Sequence, residues 1–99
     1  MSRYQLTGQS AADLREVARY TRQTWGVVQA ERYGEELELA LQQLSLAPNL
    51  GRKRDAIQPG LRSHPVARHL AFYIQQKDKI IVLRIPHPRM NVDEAFKSA

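Results

Sequence analysis

Helical periodicity dominates the first half of the chain. Apolar and small residues recur at i, i+3, i+4, i+7 and i+11 on one face: Leu14, Val17, Ala18, Thr21 and Trp25. Thr7 is placed as a hydroxyl N-cap, and Ser10 with Asp13 offers a weaker alternative start. Gly26 marks the expected C-terminal end. The pattern predicts one amphipathic helix, with its apolar face buried up to Trp25.

A second helix begins almost immediately after Gly26. Its apolar positions are Ala30, Tyr33, Leu37, Ala40, Leu41 and Leu44. Pro48 cannot continue a helix, so we expect the helix to end near Ala47. A link of about two residues makes the helices antiparallel neighbours in a hairpin. Gly34 lies mid-helix, where glycine costs about 1 kcal/mol relative to alanine, and a close helix–helix approach would explain it.

The periodicity changes to two in the second half. Residues 61–66, 69–76 and 80–85 read as strands, with Lys77-Asp78-Lys79 as a polar turn, and residues 3–6 form a further short strand. Residues 48–61 contain two prolines and two glycines and read as a loop that carries Arg52-Lys53-Arg54. The chain is therefore predicted to be α+β, with an N-terminal antiparallel helical hairpin packed on a small antiparallel sheet.

The last strand carries apolar residues on both faces. If Ile81, Leu83 and Ile85 face the helices, then Ile80 and Val82 point the other way. Tyr73 and Ala71 of the neighbouring strand would share that second face, bordered by Arg84 and Arg68. A small protein rarely leaves such a patch bare. We expect cover from the C-terminal segment, residues 90–96, from a partner, or from both.

Composition and charge limit the number of domains, the kind of partner and the cellular location that we expect. The 99 residues include no cysteine and have a net charge of +5, so we expect a single domain over residues 1–99 without disulfides. Residues 1–48 carry a net charge of −1 and residues 49–99 a net charge of +6. Such a polarised surface suits an anionic partner or simply a solvated face. The N-terminus has no secretory h-region and no apolar run reaches membrane-span length, so we expect a cytoplasmic protein that makes no membrane contact.

Candidate chemistry is sparse. The spacing of His64, His69 and His87 matches no common zinc signature, and no phosphate loop is present, so we expect neither metal nor cofactor. One constellation remains: Arg62 and Arg84, with Arg68 nearby, could bind phosphate while His87 shuttles a proton. These groups could cleave RNA, or Arg84 and His87 could be strand-end residues with structural hydrogen bonds.

Segments in order along the whole chain resemble the ParE branch of the RelE/ParE superfamily of bacterial toxin–antitoxin modules. They are Tyr4-x-Leu6-Thr7, Ala12-Asp13-Leu14, Tyr20-Thr21-x-x-x-Trp25-Gly26, Gln29-Ala30-x-x-Tyr33, Leu37, Pro48-x-Leu50-Gly51-Arg52, Gly60-Leu61-Arg62, Phe72-Tyr73 and Arg84-Ile85-x-His87-x-x-Met90-Asn91. The order and spacing of these pieces over some 90 residues carry the resemblance.

The resemblance implies a compact α+β toxin that a ParD-like antitoxin wraps and blocks in a hetero-oligomer. It also implies inhibition of DNA gyrase without nuclease activity, with DNA contacted only indirectly through the antitoxin. For the antitoxin we predict contacts at Tyr73, Ile80, Val82, Arg68 and Arg84.

Two other functions stay open from the sequence. The related RelE branch cleaves mRNA on the ribosome, and Arg62, Arg84 and His87 would carry that activity here, although no tyrosine follows Tyr73. The chain could also be a decayed toxin, kept for antitoxin binding or for regulation of its operon.

Overall fold

The computed structural model describes residues 4–86 and Phe96. In chain order the elements are β1 (Tyr4–Leu6), α1 (Gly8–Trp25), α2 (Val27–Leu46), a 3₁₀ turn (Pro48–Leu50), β2 (Arg52–Lys53), β3 (Arg62–Val66), β4 (His69–Gln76) and β5 (Lys79–Arg84). The predicted α+β class and helical hairpin are confirmed. β2 is a two-residue strand within the segment predicted as a loop.

The sheet has the strand order β1-β5-β4-β3-β2. β1 pairs with β5 in parallel, and the other three pairings are antiparallel. The predicted antiparallel sheet therefore has one parallel edge, because the chain crosses from β1 through both helices and four further elements before β5 returns beside it.

Local sequence signals set both ends of α1. The Thr7 hydroxyl accepts a hydrogen bond from the Ser10 amide at 3.1 Å, and the Ser10 hydroxyl accepts one from the Thr7 amide at 2.9 Å. This reciprocal pair is a capping box with serine at its third position, and it confirms Thr7 as the N-cap. Gly26 alone separates the two helices, and its φ of 94° is a conformation that side chains disfavour.

The core lies between the sheet and α2. Leu37, Leu41 and Leu44 of α2 are buried against residues of β3, β4 and β5. Leu14 and Val17 of α1 pack against the same cluster while remaining half-buried. Trp25 was predicted on this buried face, but its side chain is 69% exposed. It is the last residue of α1, at the tip of the hairpin, and the core does not extend that far.

A bulge in β5 decides which apolar side chains reach the core. Tyr73 pairs with Val82 while Phe72 pairs with Arg84, so β5 carries one extra residue at Leu83. An extra residue breaks the strict alternation of side chains between the two faces. Consequently Ile80, Val82 and Ile85 all lie in the core cluster, although their numbers differ in parity. The prediction that Ile81 and Leu83 face the helices is wrong, because it assumed unbroken alternation back from Ile85.

Tyr73 ties the sheet to the turn that follows α2. Its hydroxyl accepts a hydrogen bond from the Gly51 amide at 2.9 Å and donates one to the Pro48 carbonyl at 2.7 Å. Burial raises the pKa of this hydroxyl, so it stays protonated and able to donate. A Cβ on Gly51 would overlap the hydroxyl, so this position needs glycine.

We expect Gly51→Ala to lower the free energy of unfolding by about 1–3 kcal/mol, the usual cost of overpacking a buried site. Chemical denaturation followed by circular dichroism measures the change. Gly8→Ala is the matched control, because a Cβ there meets nothing within 4 Å. Equal stability of the two variants would show that the Tyr73 hydroxyl does not pack on Gly51.

Candidate functional site

Asp13 holds α1 against the end of β5. One carboxylate oxygen lies 2.8 Å from Arg84 Nε and 2.8 Å from the Ile85 amide, and the other lies 3.1 Å from Arg84 Nη2. The two side chains are only 13% and 15% exposed. The hydrogen bond to Asp13 raises the pKa of the Arg84 guanidinium. Arg84 is thus held in a bidentate pair that links a helix to the sheet.

Two further arginines of the sheet region have internal partners. Arg62 Nη1 donates to the Gly51 carbonyl at 2.7 Å, which anchors the turn before β2. Arg54 Nε donates to the hydroxyl of buried Ser63 at 2.8 Å, and its guanidinium lies 5.7 Å from the centroid of the Phe72 ring. Both cations therefore support loop structure.

The candidate nuclease groups are not shown to converge. Arg62 lies on β3 and Arg84 on β5, with β4 between them, and each is bonded to a different internal acceptor. His87 lies outside the described residues. In the described part of the chain, Arg62 and Arg84 are therefore each bonded to an internal acceptor and do not share a site.

Three of the five residues that were predicted to contact the antitoxin lie inside the protein. Tyr73, Ile80 and Val82 are each 0% exposed, because they lie on the sheet face that packs against the helices. A partner could contact them only if the helical hairpin moved away. On the opposite sheet face, the Phe72 ring packs against the Phe96 ring, with ring centroids 5.1 Å apart. The predicted tail cover concerned the face of Tyr73, Ile80 and Val82, which the helices cover instead. Residues 90–95 lie outside the described part.

Arg68 occupies the tight turn between β3 and β4. Its amide donates to the Tyr33 hydroxyl at 2.9 Å, and the same hydroxyl lies 2.6 Å from His69 Nδ1. Burial raises the pKa of the Tyr33 hydroxyl. Tyr33 thereby links α2 to this turn while the Arg68 side chain stays exposed. A role in antitoxin binding stays a prediction for Arg68 and Arg84, and also for the buried Tyr73, Ile80 and Val82.

Exposed apolar side chains concentrate on the helical hairpin and the turn that follows it. Trp25, Val27 and Val28 surround the tip, where the last two are 57% and 66% exposed. The remaining large exposed apolar side chains are Tyr20, Leu39, Leu46 and Leu50. None of these residues belongs to the sheet, so the open apolar surface of the described chain lies on its helical side.

A cleft of about 240 Å³ opens between the two helices above β1. Tyr4, Leu37 and Leu41 are among the apolar residues that line it, and Glu38 is its one charged lining residue. Gly34 also lines it, and a Cβ at Gly34 would meet no atom within 4 Å. The prediction that Gly34 permits a close helix–helix approach is wrong, because no atom of α1 lies close to Gly34.

Other kinds of site find little support. Among residues 4–86 and Phe96, no group of three histidine, aspartate or glutamate residues could hold a metal ion. Neither helix of the described chain is long and apolar enough to cross a membrane.

Comparison with known proteins decides the family. The family described as "ParE toxin of type II toxin-antitoxin system, parDE" matches residues 4–92. The chain belongs to the ParE toxin family. Toxin ParE1 of Mycobacterium tuberculosis is 40% identical over 93 residues, covering 93% of this chain and 95% of the relative. Toxin ParE of Escherichia coli is 32% identical over 93 residues, with 93% and 90% coverage.

The same fold is found in a solved structure. The chromosomal ParDE TA system from P. aeruginosa includes a chain with a TM-score of 0.72 and 24% sequence identity, covering 88% of this chain and 96% of that one. The ParE resemblance drawn from the sequence motifs is thus confirmed, and so is the α+β architecture.

The apolar residues that were predicted to form an open second sheet face lie in the core of this ParE-family chain. The large exposed apolar side chains lie on the helical hairpin and on the turn that follows it. A signal for the cleft was present: Gly34 interrupts a helix with no turn, cap or proline nearby to account for it.

Replacing the internal carboxylate tests the attachment of α1 to β5. We expect Asp13→Asn to lower the free energy of unfolding by about 1.5–3 kcal/mol, because a guanidinium and a backbone amide lose their charged acceptor. Thermal and denaturant unfolding measure it. Glu16→Gln, which breaks the exposed pair with Arg19 on the same helix, is the matched control and should change stability far less. Equal effects of the two variants would contradict the structural role of Asp13.

Proposed function

We propose that this chain is the toxin of a ParDE-type module, held inactive by a ParD-like antitoxin and, when free, inhibiting DNA gyrase and so blocking replication. The observation that carries the proposal is the match to the ParE toxin family over residues 4–92, with relatives aligned along more than nine-tenths of this chain. An alignment of that extent includes both helices and all five strands of the described chain.

The exposed apolar side chains and the basic charge of the chain support binding to a ParD-like antitoxin. The P. aeruginosa structure of similar fold is of a ParDE system. In the present chain, the helical hairpin exposes apolar side chains that a covering polypeptide would bury. The net charge of +6 over residues 49–99 would attract an acidic segment of an antitoxin and speed its association.

The internal hydrogen bonds of the sheet arginines favour gyrase inhibition over RNA cleavage. A nuclease needs cations free to receive phosphate and a group placed to move a proton. Arg84 is bonded to Asp13 and Arg62 to the Gly51 carbonyl, so binding phosphate at either would cost an internal interaction. Inhibition by binding requires no such group.

A supercoiling assay tests the proposal. We expect the purified chain to inhibit supercoiling of relaxed plasmid by gyrase, to increase the amount of cleaved DNA that gyrase holds, and to lose both effects when its antitoxin is added. The physical reason is mass action: the antitoxin binds the folded toxin and removes it from the pool that gyrase can bind.

Two results would contradict the proposal in different ways. Unaffected supercoiling at high molar excess, with the antitoxin still binding, would point to a toxin that has lost activity. Ribosome-dependent mRNA cleavage that is abolished by Arg62→Gln together with His87→Ala would point to the RelE-like alternative. Arg52→Gln serves as the control there, since it removes an exposed cation on β2.

A further inference from the structure

The outer face of α2 carries a line of four exposed side chains, which we call the outer stripe. Its members are Val28, Arg32, Glu35 and Leu39. They are spaced at i, i+4, i+7 and i+11, so a helix of 3.6 residues per turn places them along one side. Val28 is 66% exposed and Leu39 is 55% exposed. The outer stripe is therefore an open surface about 16 Å long, with an apolar residue at each end.

The outer stripe lies opposite the core face of α2. Leu37 and Leu41 are each two residues from Leu39 in sequence, and both are buried in the core. Two residues along an α-helix correspond to a rotation of about 200°, so Leu39 points away from the sheet. Neither Val28 nor Leu39 lines the cleft between the helices. The outer stripe is thus a separate surface, open to a molecule that approaches from outside.

The chemistry of the outer stripe is symmetrical about its centre. The midpoint between Val28 and Leu39 is also the midpoint between Arg32 and Glu35. A two-fold interface is self-complementary, because residue i of one copy contacts residue j of the other while residue j contacts residue i. An antiparallel second copy of α2 therefore brings Val28 to Leu39 and Arg32 to Glu35, and it makes each of these contacts twice.

Charge favours a second copy as the occupant. The outer stripe has one cation and one anion, so an acidic segment attracted by Arg32 would be repelled by Glu35, and a basic segment would meet the reverse. Among the residues that the structure describes, the ion pairs are Arg19 with Glu16 and Arg84 with Asp13, so neither charge of the outer stripe is already paired. A two-fold contact neutralises both charges of each copy.

We propose that the outer stripe binds a second copy of this chain, through an antiparallel contact of the two α2 helices about a two-fold axis. The axis lies level with the midpoint between Arg32 and Glu35. Helices that cross at about 20° keep such a line of side chains in contact. The two pairs of Val28 with Leu39 bury apolar surface, and the two ion pairs fix the register.

The size of the outer stripe sets the strength of the dimer. Four side chains from each copy are fewer than the roughly 20–30 residues a side of a standard interface. The dimer is therefore weak, and it exchanges with the monomer as concentration changes. The inference goes beyond the proposed function, since it names only this chain and needs neither the antitoxin nor gyrase.

Charge reversal tests the register of the contact. Arg32→Glu and Glu35→Arg each replace both ion pairs by contacts between like charges, so each should raise the dimer dissociation constant at least tenfold. Sedimentation of the purified chain over a wide range of concentrations measures it. The double variant that carries both changes should restore the dimer, because the opposite charges then meet in exchanged positions. Arg15→Glu reverses an exposed charge on α1 and is the matched control, which should leave the dissociation constant unchanged.

Mixing the two single variants separates a contact between copies from one within a helix. Neither variant should form the dimer alone, yet their mixture should, because the two glutamates of one variant meet the two arginines of the other. An ion pair between Arg32 and Glu35 of the same helix could account for rescue by the double variant, but not for rescue by mixing.

Several outcomes would overturn the inference. One is the mass of a single copy at every concentration up to the solubility limit. Another is a dimer that survives both charge reversals, because a different surface then forms it. A third is a monomeric chain whose charge-reversed variants lose antitoxin binding or gyrase inhibition, which assigns the outer stripe to that partner. Circular dichroism checks that each variant is folded. Should a charge-reversed variant not fold, Leu39→Gln must still weaken the dimer, since it removes an apolar contact and leaves both charges in place.

Discussion

The attachment of the helical hairpin to the sheet depends on one carboxylate and one extra residue in β5. The extra residue at Leu83 breaks the alternation of the strand, and Asp13 receives both the Arg84 guanidinium and the Ile85 amide. Because Ile85 is then directed inward, the end of β5 adds to the same core as Ile80 and Val82. A hydrogen-bonded, poorly exposed ion pair is costly to break from one side, so it fixes the position of α1.

The sheet layer and the helical layer differ in how many of their side chains are bonded within the chain. Arg54, Arg62 and Arg84 are bonded to groups of the chain itself, and Tyr73 is committed to the turn after α2. The large exposed apolar side chains and the cleft lie instead on the helical hairpin and the turn that follows it. The sheet layer is therefore the framework of this ParE-family protein, and the helical layer carries most of its large exposed apolar side chains.

Local signals made most of the fold predictable. Thr7, Gly26 and Pro48 set the helix boundaries, and the change of period from 3.6 to 2 located the three long strands. The faces of β5 were not predictable, because a bulge in a run of β-branched residues has no sequence signature. The bulge also moves every side chain after it to the opposite face of the sheet. Trp25 followed the helical spacing, yet spacing cannot say where a neighbouring helix stops covering it. Gly34 was noticed, but its cause was assigned to packing when the structure shows an opening.

Arg84 acts as an internal structural cation, because the Asp13 carboxylate holds its guanidinium. Side-chain NMR of the free protein tests this most directly, by comparing solvent exchange of the arginine Nε–H protons. We expect Arg84 to exchange slowly because its Nε–H is bonded to Asp13, whereas Arg15 and Arg22 on the exposed face of α1 should exchange fast. Exchange at Arg84 as fast as at Arg15 and Arg22 would show that the carboxylate does not hold the guanidinium.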